Sequence, residues 1–298
     1  MIEPPTEVPA VSSSVAVPMQ PPSVESAVCV PEAQTSAAEN EFTPAELAEI
    51  EIETARVFAE IDSLPIMTYT RSLAAWALNH EAFDYHRYYD KETPSHPNDV
   101  LKQAMRLVVA ERKLGTVITD REAKMIAMVA ILHDFGMDHT AATPQDARKE
   151  HEIKGAEKFK TLVAPFNMGD NFTPDEIQRM ESMFLPTKLV PNADFSELTQ
   201  HPTGDQLARI VQDADISNWG MSEDVILENS RREYRELKSR DPVKFLRFFT
   251  ESILAKQEWK TNAGKKFYGA RHKQNLKLYR ALVEKLTATP PTDLKNPF

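Results

Sequence analysis

Cysteine and glycine are scarce in this chain of 298 residues, and each shortage narrows the possible structures. The single cysteine, Cys29, excludes an intramolecular disulfide and a thiolate metal site. Only eight glycines, no Asn-Gly or Asp-Gly turn and no alternating run of Val, Ile and Thr argue against a β-sheet. No segment has a convincing strand pattern, so the sequence predicts an all-α fold.

Long apolar runs and an export signal are also missing. No apolar run approaches the roughly 20 residues needed to cross a bilayer, so we expect no membrane contact. Residues 1–43 contain no Lys or Arg, whereas a secretory signal begins with basic residues. We therefore expect a cytoplasmic location.

Charge is distributed unevenly along the chain, whose formal net charge is −10. Residues 1–43 carry six Glu and no base, whereas residues 230–285 carry 16 Lys or Arg against six acids. Such a basic region either contacts a phosphate-bearing ligand or forms ordinary solvated helix surfaces, and the second is the more common case. The acidic net charge and the lack of a basic-aromatic motif exclude long nucleic acid as an expected partner.

The pattern along the chain predicts one helical domain between two tails. Residues 1–42 are rich in Pro, Ser, Ala, Val and Glu without a helical period, which predicts a disordered tail. Thr43-Pro44-Ala45-Glu46 has the form of a capping box, so a compact helical domain is expected over 43–288, followed by a tail at 289–298. Expected helices lie at about 70–82, 97–113, 120–134, 144–164, 173–184, 204–219, 222–239, 242–258 and 262–287, with 66–96 and 185–203 as the least regular stretches.

His133 and Asp134 stand together at the end of the apolar run that begins at Ile126. Burying an imidazole and a carboxylate there is costly unless both are paired or bind a cation. The pair alone is ambiguous, because a lone buried histidine is more often a satisfied core residue than a ligand. Further ligands from other helices are needed to support a metal site.

Two other residues provide such ligands. His96 directly precedes an amphipathic helix that carries Val100, and Asp215 lies within a mostly apolar helical stretch. Together with His133 and Asp134 they give two imidazoles and two carboxylates. Mixed nitrogen and oxygen ligands suit a divalent cation such as Mn, Fe, Co, Ni, Zn or Mg, with open positions left for water or substrate.

At this point the chain resembles the HD superfamily of metal-dependent phosphohydrolases, whose signature is a His, a His-Asp pair and a distant Asp. More narrowly, it resembles the uncharacterised predicted metal-dependent HD phosphohydrolases, over roughly residues 66–287. Besides His96, His133, Asp134 and Asp215, the segments that carry the resemblance are Asp213–Gly220, Arg231–Tyr234 and Ala270–Leu276. The resemblance implies an HD-type helical bundle that holds the cation with these four residues.

The chain departs from the family pattern at the first histidine. The family has Tyr-His and then a second His a few residues later, whereas Tyr85-His86 here is separated from His96 by a longer stretch. His96 is preferred as the ligand because Val100 follows one helical turn later, and His86 stays the alternative. His139 and His151 are candidates for a second metal, although the charged run around His151 favours a solvated helix face.

Further roles follow from the resemblance. Asp134 is expected at the reacting centre, and Asp213 or Asp138 is expected to orient the attacking water as general base. The residues expected to neutralise phosphoryl oxygens are Arg232, Arg271, Lys188 and Lys273.

The resemblance implies hydrolysis of a small phosphorylated substrate, a phosphomonoester or phosphodiester with nucleotides among the candidates, by hydroxide that the cation supplies at neutral pH. Two alternatives stay open. An HD-type site with other metal chemistry would be a di-iron oxygenase or a hydratase, and a protein without turnover would bind a nucleotide as a sensor.

Overall fold

The computed structural model describes residues 41–89, 94–163, 172–192, 197–289, 291, 293 and 297–298. Within these residues the fold is all-α, as the sequence predicts. Nearly all of the tail expected at 1–42 lies outside the described residues. No described helix combines the length and the apolar content needed to cross a membrane.

The α-helices and the two short strands have the following bounds, in chain order. They are α1 (Pro44–Asp62), α2 (Pro65–Leu78), α3 (His96–Lys113), α4 (Asp120–Leu132), α5 (Pro144–Arg148), α6 (His151–Lys158), α7 (Pro174–Ser182), β1 (Leu189–Pro191), β2 (Leu198–Gln200), α8 (Gln206–Asp215), α9 (Glu223–Glu236), α10 (Pro242–Phe248) and α11 (Asn262–Ala288).

Helix α4 lies at the centre of the core. Every residue from Met125 to Leu132 is buried, because α2, α3, α7 and α8 pack around it. Such an all-round apolar helix is stable only inside a protein. His133 and Asp134 follow directly at its C-terminal end, so they are carried into the interior.

The helix starts follow the capping pattern of the sequence. Thr43 and Glu46 form the predicted capping box of α1, and Thr173 and Glu176 form one at α7. Helix α4 begins at Asp120, and the preceding residue, Thr119, is its N-cap and forms a capping box with Glu122. Each box satisfies backbone amides that would otherwise lack partners.

Three local expectations are wrong. The helix expected at 144–164 is divided into α5 and α6, because Glu150 has a left-handed backbone with φ of 54°. The stretch 66–96, expected to be among the least regular, begins within α2, which continues to Leu78. No strand was expected, yet β1 and β2 pair in antiparallel fashion, with Leu189 opposite Gln200.

Candidate metal centre

Four residues from three helix ends converge at one point. His96 is the first residue of α3, His133 and Asp134 follow α4, and Asp215 ends α8. The Nε2 atoms of His96 and His133 lie 3.1 Å apart. Asp215 Oδ1 lies 3.2 Å from the first of these atoms and 3.4 Å from the second. The sequence therefore named residues that the fold brings together.

The tautomer of His133 follows from its hydrogen bond to the backbone. Its Nδ1 lies 2.8 Å from the carbonyl oxygen of Ala130, and a carbonyl oxygen can only accept. Nδ1 therefore carries the proton, and the neutral ring presents the lone pair of Nε2. That atom lies 2.9 Å from Asp134 Oδ2, so two acceptors face each other unless a proton or a cation lies between them.

The protonation equilibria of the cluster reflect this conflict. Burial opposes the charged form of His133, but Asp134 and Asp215 outweigh it and raise the pKa of His133 well above 6.5. Burial likewise opposes ionisation of Asp215, but hydrogen bonds from His133 and His96 lower the pKa of Asp215 to about 2. Burial lowers the pKa of His96. The carboxylates are thus ionised at neutral pH and need a positive charge close by.

A divalent cation fits this donor set. Asp134 Oδ2 is buried and has no hydrogen-bond partner among the described residues, which is costly for a charged oxygen. His96, His133 and Asp215 each offer a ligand atom, and these atoms lie within 4.8 Å of one another. His86, His96 and Asp134 form a second such group. Imidazole and carboxylate ligands are those that Mn, Fe, Co, Ni and Zn accept.

Two further histidines, His86 and His151, which we call the outer histidines, also face Asp134. His86 Nε2 lies 3.8 Å from Oδ2, and His151 Nε2 lies 3.1 Å from Oδ1. The choice between His86 and His96 is therefore unnecessary, because the fold brings both rings to the cluster. The expected solvated position of His151 is wrong, since the left-handed turn at Glu150 directs α6 back toward Asp134.

The cluster opens into a cavity of about 280 Å³. Its apolar wall includes Leu189, Ile216 and Trp219. Two cationic side chains, Arg148 and Lys188, also line it. A small molecule with a charged end and an apolar end suits such a cavity.

Asp213 is not at the cluster. Its carboxylate accepts hydrogen bonds from the amides of Lys260 and Thr261 and from the hydroxyl of Thr261, just before α11. Burial raises the pKa of Asp213 to about 6 despite these bonds. Asp213 and Asp215 are two residues apart, which corresponds to about 200° around a helix, so they point in opposite directions. The role expected for Asp213 as general base is not supported.

Asp138 and His139 also lie elsewhere. Asp138 accepts hydrogen bonds from the amide and the hydroxyl of Thr140 in the turn after α4. The ring of His139 is exposed and stacks on His80, with 4.7 Å between the ring centroids. Both residues line a different, smaller pocket. The expected base and the expected second-metal ligand are therefore not brought to the cluster.

Of the expected phosphate-binding residues, only Lys188 lines the cavity. Arg232 donates to the carbonyl oxygen of Asp84 and so holds the loop that carries His86. Arg271 is exposed on α11, and Lys273 lines a separate groove. The family-like arginines of the last helices thus lie outside the cavity.

Two residues of this region were missed by the sequence reasoning. Arg148 lines the cavity and pairs with Glu233 and with the buried carboxylate of Glu236. Glu236 in turn accepts a hydrogen bond from His86 Nδ1 at 2.7 Å. Both residues lie in charged stretches of sequence, and no local pattern marks them because their partners are 62 to 150 residues distant.

The fold is similar to that of known phosphodiesterase domains. Two solved structures of the phosphodiesterase domain of a rhodopsin phosphodiesterase (RhoPDE) from the choanoflagellate Salpingoeca rosetta align with TM-scores of 0.52 and 0.55. The sequence identities are 14% and 15%, and the alignments cover 81% and 83% of this chain and 93% and 90% of the compared chains. At this identity the likeness concerns the fold. No family model and no curated protein sequence matches the chain.

Proposed function

We propose that this protein is a metal-dependent phosphohydrolase that cleaves a small phosphoester. The observation that carries the proposal is the convergence of His96, His133, Asp134 and Asp215 at the base of a cavity. The resemblance of the sequence to HD phosphohydrolases and the fold shared with phosphodiesterase domains support the same reaction class. A phosphodiester and a phosphomonoester are both candidate substrates, and a nucleotide is a candidate for either.

The residues of the chain have separate tasks in this proposal. His96, His133, Asp134 and Asp215 hold the cation, which supplies a water of lowered pKa and polarises a phosphoryl oxygen. Lys188 places positive charge in the cavity, where it neutralises a remaining phosphoryl oxygen, whereas the guanidinium of Arg148 is already paired with Glu233 and Glu236.

The apolar wall receives the organic part of the substrate. Leu189, Ile216 and Trp219 lie on the same cavity as the two cations, so a phosphoryl group at the cluster leaves the rest of the molecule beside them. Among the three carboxylates expected to act in catalysis, Asp134 is the one at the cavity. It serves as a ligand and needs no further role.

The test is turnover of bis-p-nitrophenyl phosphate and p-nitrophenyl phosphate with Mn, Co, Ni, Zn, Mg or Fe. Phosphoester cleavage should appear with at least one metal and should fall by at least about 100-fold in His133→Gln and Asp134→Asn, as expected when a charge-stabilising group is lost. His201→Gln is the matched control, because the ring of His201 bonds to the neighbouring carbonyl oxygen of Pro202 and does not line the cavity. Unchanged turnover in both cluster variants would show that the proposal is wrong.

A second candidate function is favoured by the number of donors. His86 and His151 each place a ring nitrogen within 3.8 Å of an oxygen of Asp134, and they are the candidate ligands of a second ion. Two tightly bound irons per chain and oxygen uptake would indicate an HD-type oxygenase. Nucleotide binding without turnover under every metal would indicate a sensor.

A further inference from the structure

Glu236 is a buried carboxylate at which three parts of the chain meet. It is the last residue of α9, and 4% of its surface is exposed. It accepts hydrogen bonds from the amides of Tyr85 and His86 at 2.8 and 3.1 Å, from His86 Nδ1 at 2.7 Å and from Arg148 Nη2 at 2.6 Å. A carboxylate with this many donors holds each of them firmly.

Arg148 connects this carboxylate to the other outer histidine. Its guanidinium pairs with Glu236, while its backbone carbonyl oxygen accepts a hydrogen bond from His151 Nδ1 at 2.7 Å. Arg148 is the last residue of α5, immediately before the turn that contains Glu150. One residue therefore fixes His151 through its backbone and His86 through its side chain and Glu236.

These hydrogen bonds determine which ring nitrogen faces Asp134. Because a carboxylate and a carbonyl oxygen only accept, the Nδ1 atoms of His86 and His151 carry protons in the neutral rings. Their Nε2 atoms are then left with lone pairs, directed at the two different oxygens of Asp134. His133 reaches the same tautomer independently, through the carbonyl oxygen of Ala130.

We propose that Glu236 and Arg148 are positioning residues, which hold His86 and His151 with Nε2 toward Asp134 and thereby raise the affinity of the cluster for a divalent cation. The proposal rests on the metal site of the proposed function, but it does not depend on which reaction the site performs. Partners that orient a ligating imidazole typically contribute 10- to 100-fold to metal affinity, so the effect is measurable.

The test compares Glu236→Gln with Glu233→Gln. Glu233 pairs with the same guanidinium at 3.1 Å, whereas the hydrogen bonds of His86 go to Glu236, so the Glu233 variant removes one negative charge and leaves the histidine contacts. Mn²⁺ affinity, measured by calorimetry, should fall about 10- to 100-fold in Glu236→Gln. It should fall less than about threefold in Glu233→Gln, where only a screened charge is lost.

A second readout separates positioning from a general structural role. In the metal-free protein, ¹⁵N NMR of the histidine rings should show the Nδ1-protonated tautomer of His86 in the wild type and a mixture in Glu236→Gln. In a His86→Gln background, Glu236→Gln should produce little further loss of Mn²⁺ affinity, because both changes act through one ring. Full additivity, an unchanged tautomer or an equal loss in Glu233→Gln would overturn the proposal.

Arg148→Gln provides an independent test should Glu236→Gln fail to fold. It leaves the bonds from Glu236 to the loop amides and to His86 in place, and it keeps the backbone carbonyl that binds His151. Mn²⁺ affinity should fall several-fold in this variant, because Glu236 loses its charged partner. Wild-type affinity would contradict the role of Arg148. None of these measurements uses phosphoester turnover, so the proposed function and this inference can fail separately.

Discussion

Replacing Gly136 with alanine should displace α6 and weaken the outer side of the metal centre. A β-carbon at Gly136 would lie 1.8 Å from the carbonyl oxygen of His151 and 2.4 Å from the amide nitrogen of Gly155. Ordinary contact begins at 3.4 Å, so α6 would have to retreat by about 1.6 Å. Both obstructing atoms belong to the backbone, and no change of side-chain rotamer can relieve the overlap.

The magnitude follows from this overlap. Overpacking of a close interior contact costs about 1–3 kcal/mol of unfolding free energy. For a domain of this size each kcal/mol corresponds to about 2–4 °C in Tm, so the variant should melt several degrees earlier. The retreat would also break the 3.1 Å contact between His151 Nε2 and Asp134 Oδ1, so Mn²⁺ affinity should decrease with stability.

Gly269→Ala is the matched control. Gly269 lies within α11, and a β-carbon there would meet nothing within 4 Å. Alanine in a helix is more stable than glycine by about 0.5–1 kcal/mol, so this variant should melt slightly later. Thermal unfolding by circular dichroism and calorimetric Mn²⁺ titration measure both effects. Wild-type stability and affinity in Gly136→Ala would refute the close approach of α6.

Three further outcomes are expected. Asp213→Asn should lower the unfolding free energy in urea by about 1–3 kcal/mol, because buried amides before α11 lose their charged acceptor, while Mn²⁺ affinity stays within about threefold of wild type. Lys188→Ala should raise KM for the cleaved phosphoester about tenfold with Tm unchanged, and an unchanged KM would remove Lys188 from the substrate site. Metal binding should be linked to proton release, because the pKa of His133 is raised in the folded protein. The stability that this proton provides is present below pH 6.5 and is lost as the pH rises through the pKa of the folded state. The cation replaces that proton, so Mn²⁺ affinity should increase from pH 6 to pH 8 in calorimetric titrations, and a constant affinity would contradict the raised pKa of His133.

The sequence predicted the parts of the fold that depend on local chemistry. The capping box at Thr43 is a short-range pattern, and the apolar run before His133 indicated a buried helix without any knowledge of its neighbours. The four expected ligands, His96, His133, Asp134 and Asp215, were found because histidine and aspartate are unusual next to such apolar stretches. Two of the local errors, at Glu150 and in the hairpin of β1 and β2, lie where conformation depends on tertiary contacts.

The surroundings of the metal centre could not be read in the same way. Arg148 and Glu236 lie in charged stretches that resemble solvated helix surfaces, and their burial depends on packing between distant segments. His151 was misjudged for the same reason, since its charged neighbours suggested exposure. Both carboxylates of the Asp213–Asp215 motif were expected at the cluster, Asp215 as a ligand and Asp213 as a base, whereas the helix directs Asp213 away from it.

The opposite directions of those two carboxylates have a consequence for how the chain tolerates change. Helix α8 presents Asp215 to the metal centre and Asp213 to the start of α11, so both contacts depend on one helical register. Inserting or deleting a single residue between them would rotate one carboxylate by about 100° relative to the other. A substitution near α8 leaves this helical register intact. An insertion or deletion within its last turn would instead break either the contact of Asp215 with the cluster or the contact of Asp213 with the start of α11, the longest described helix.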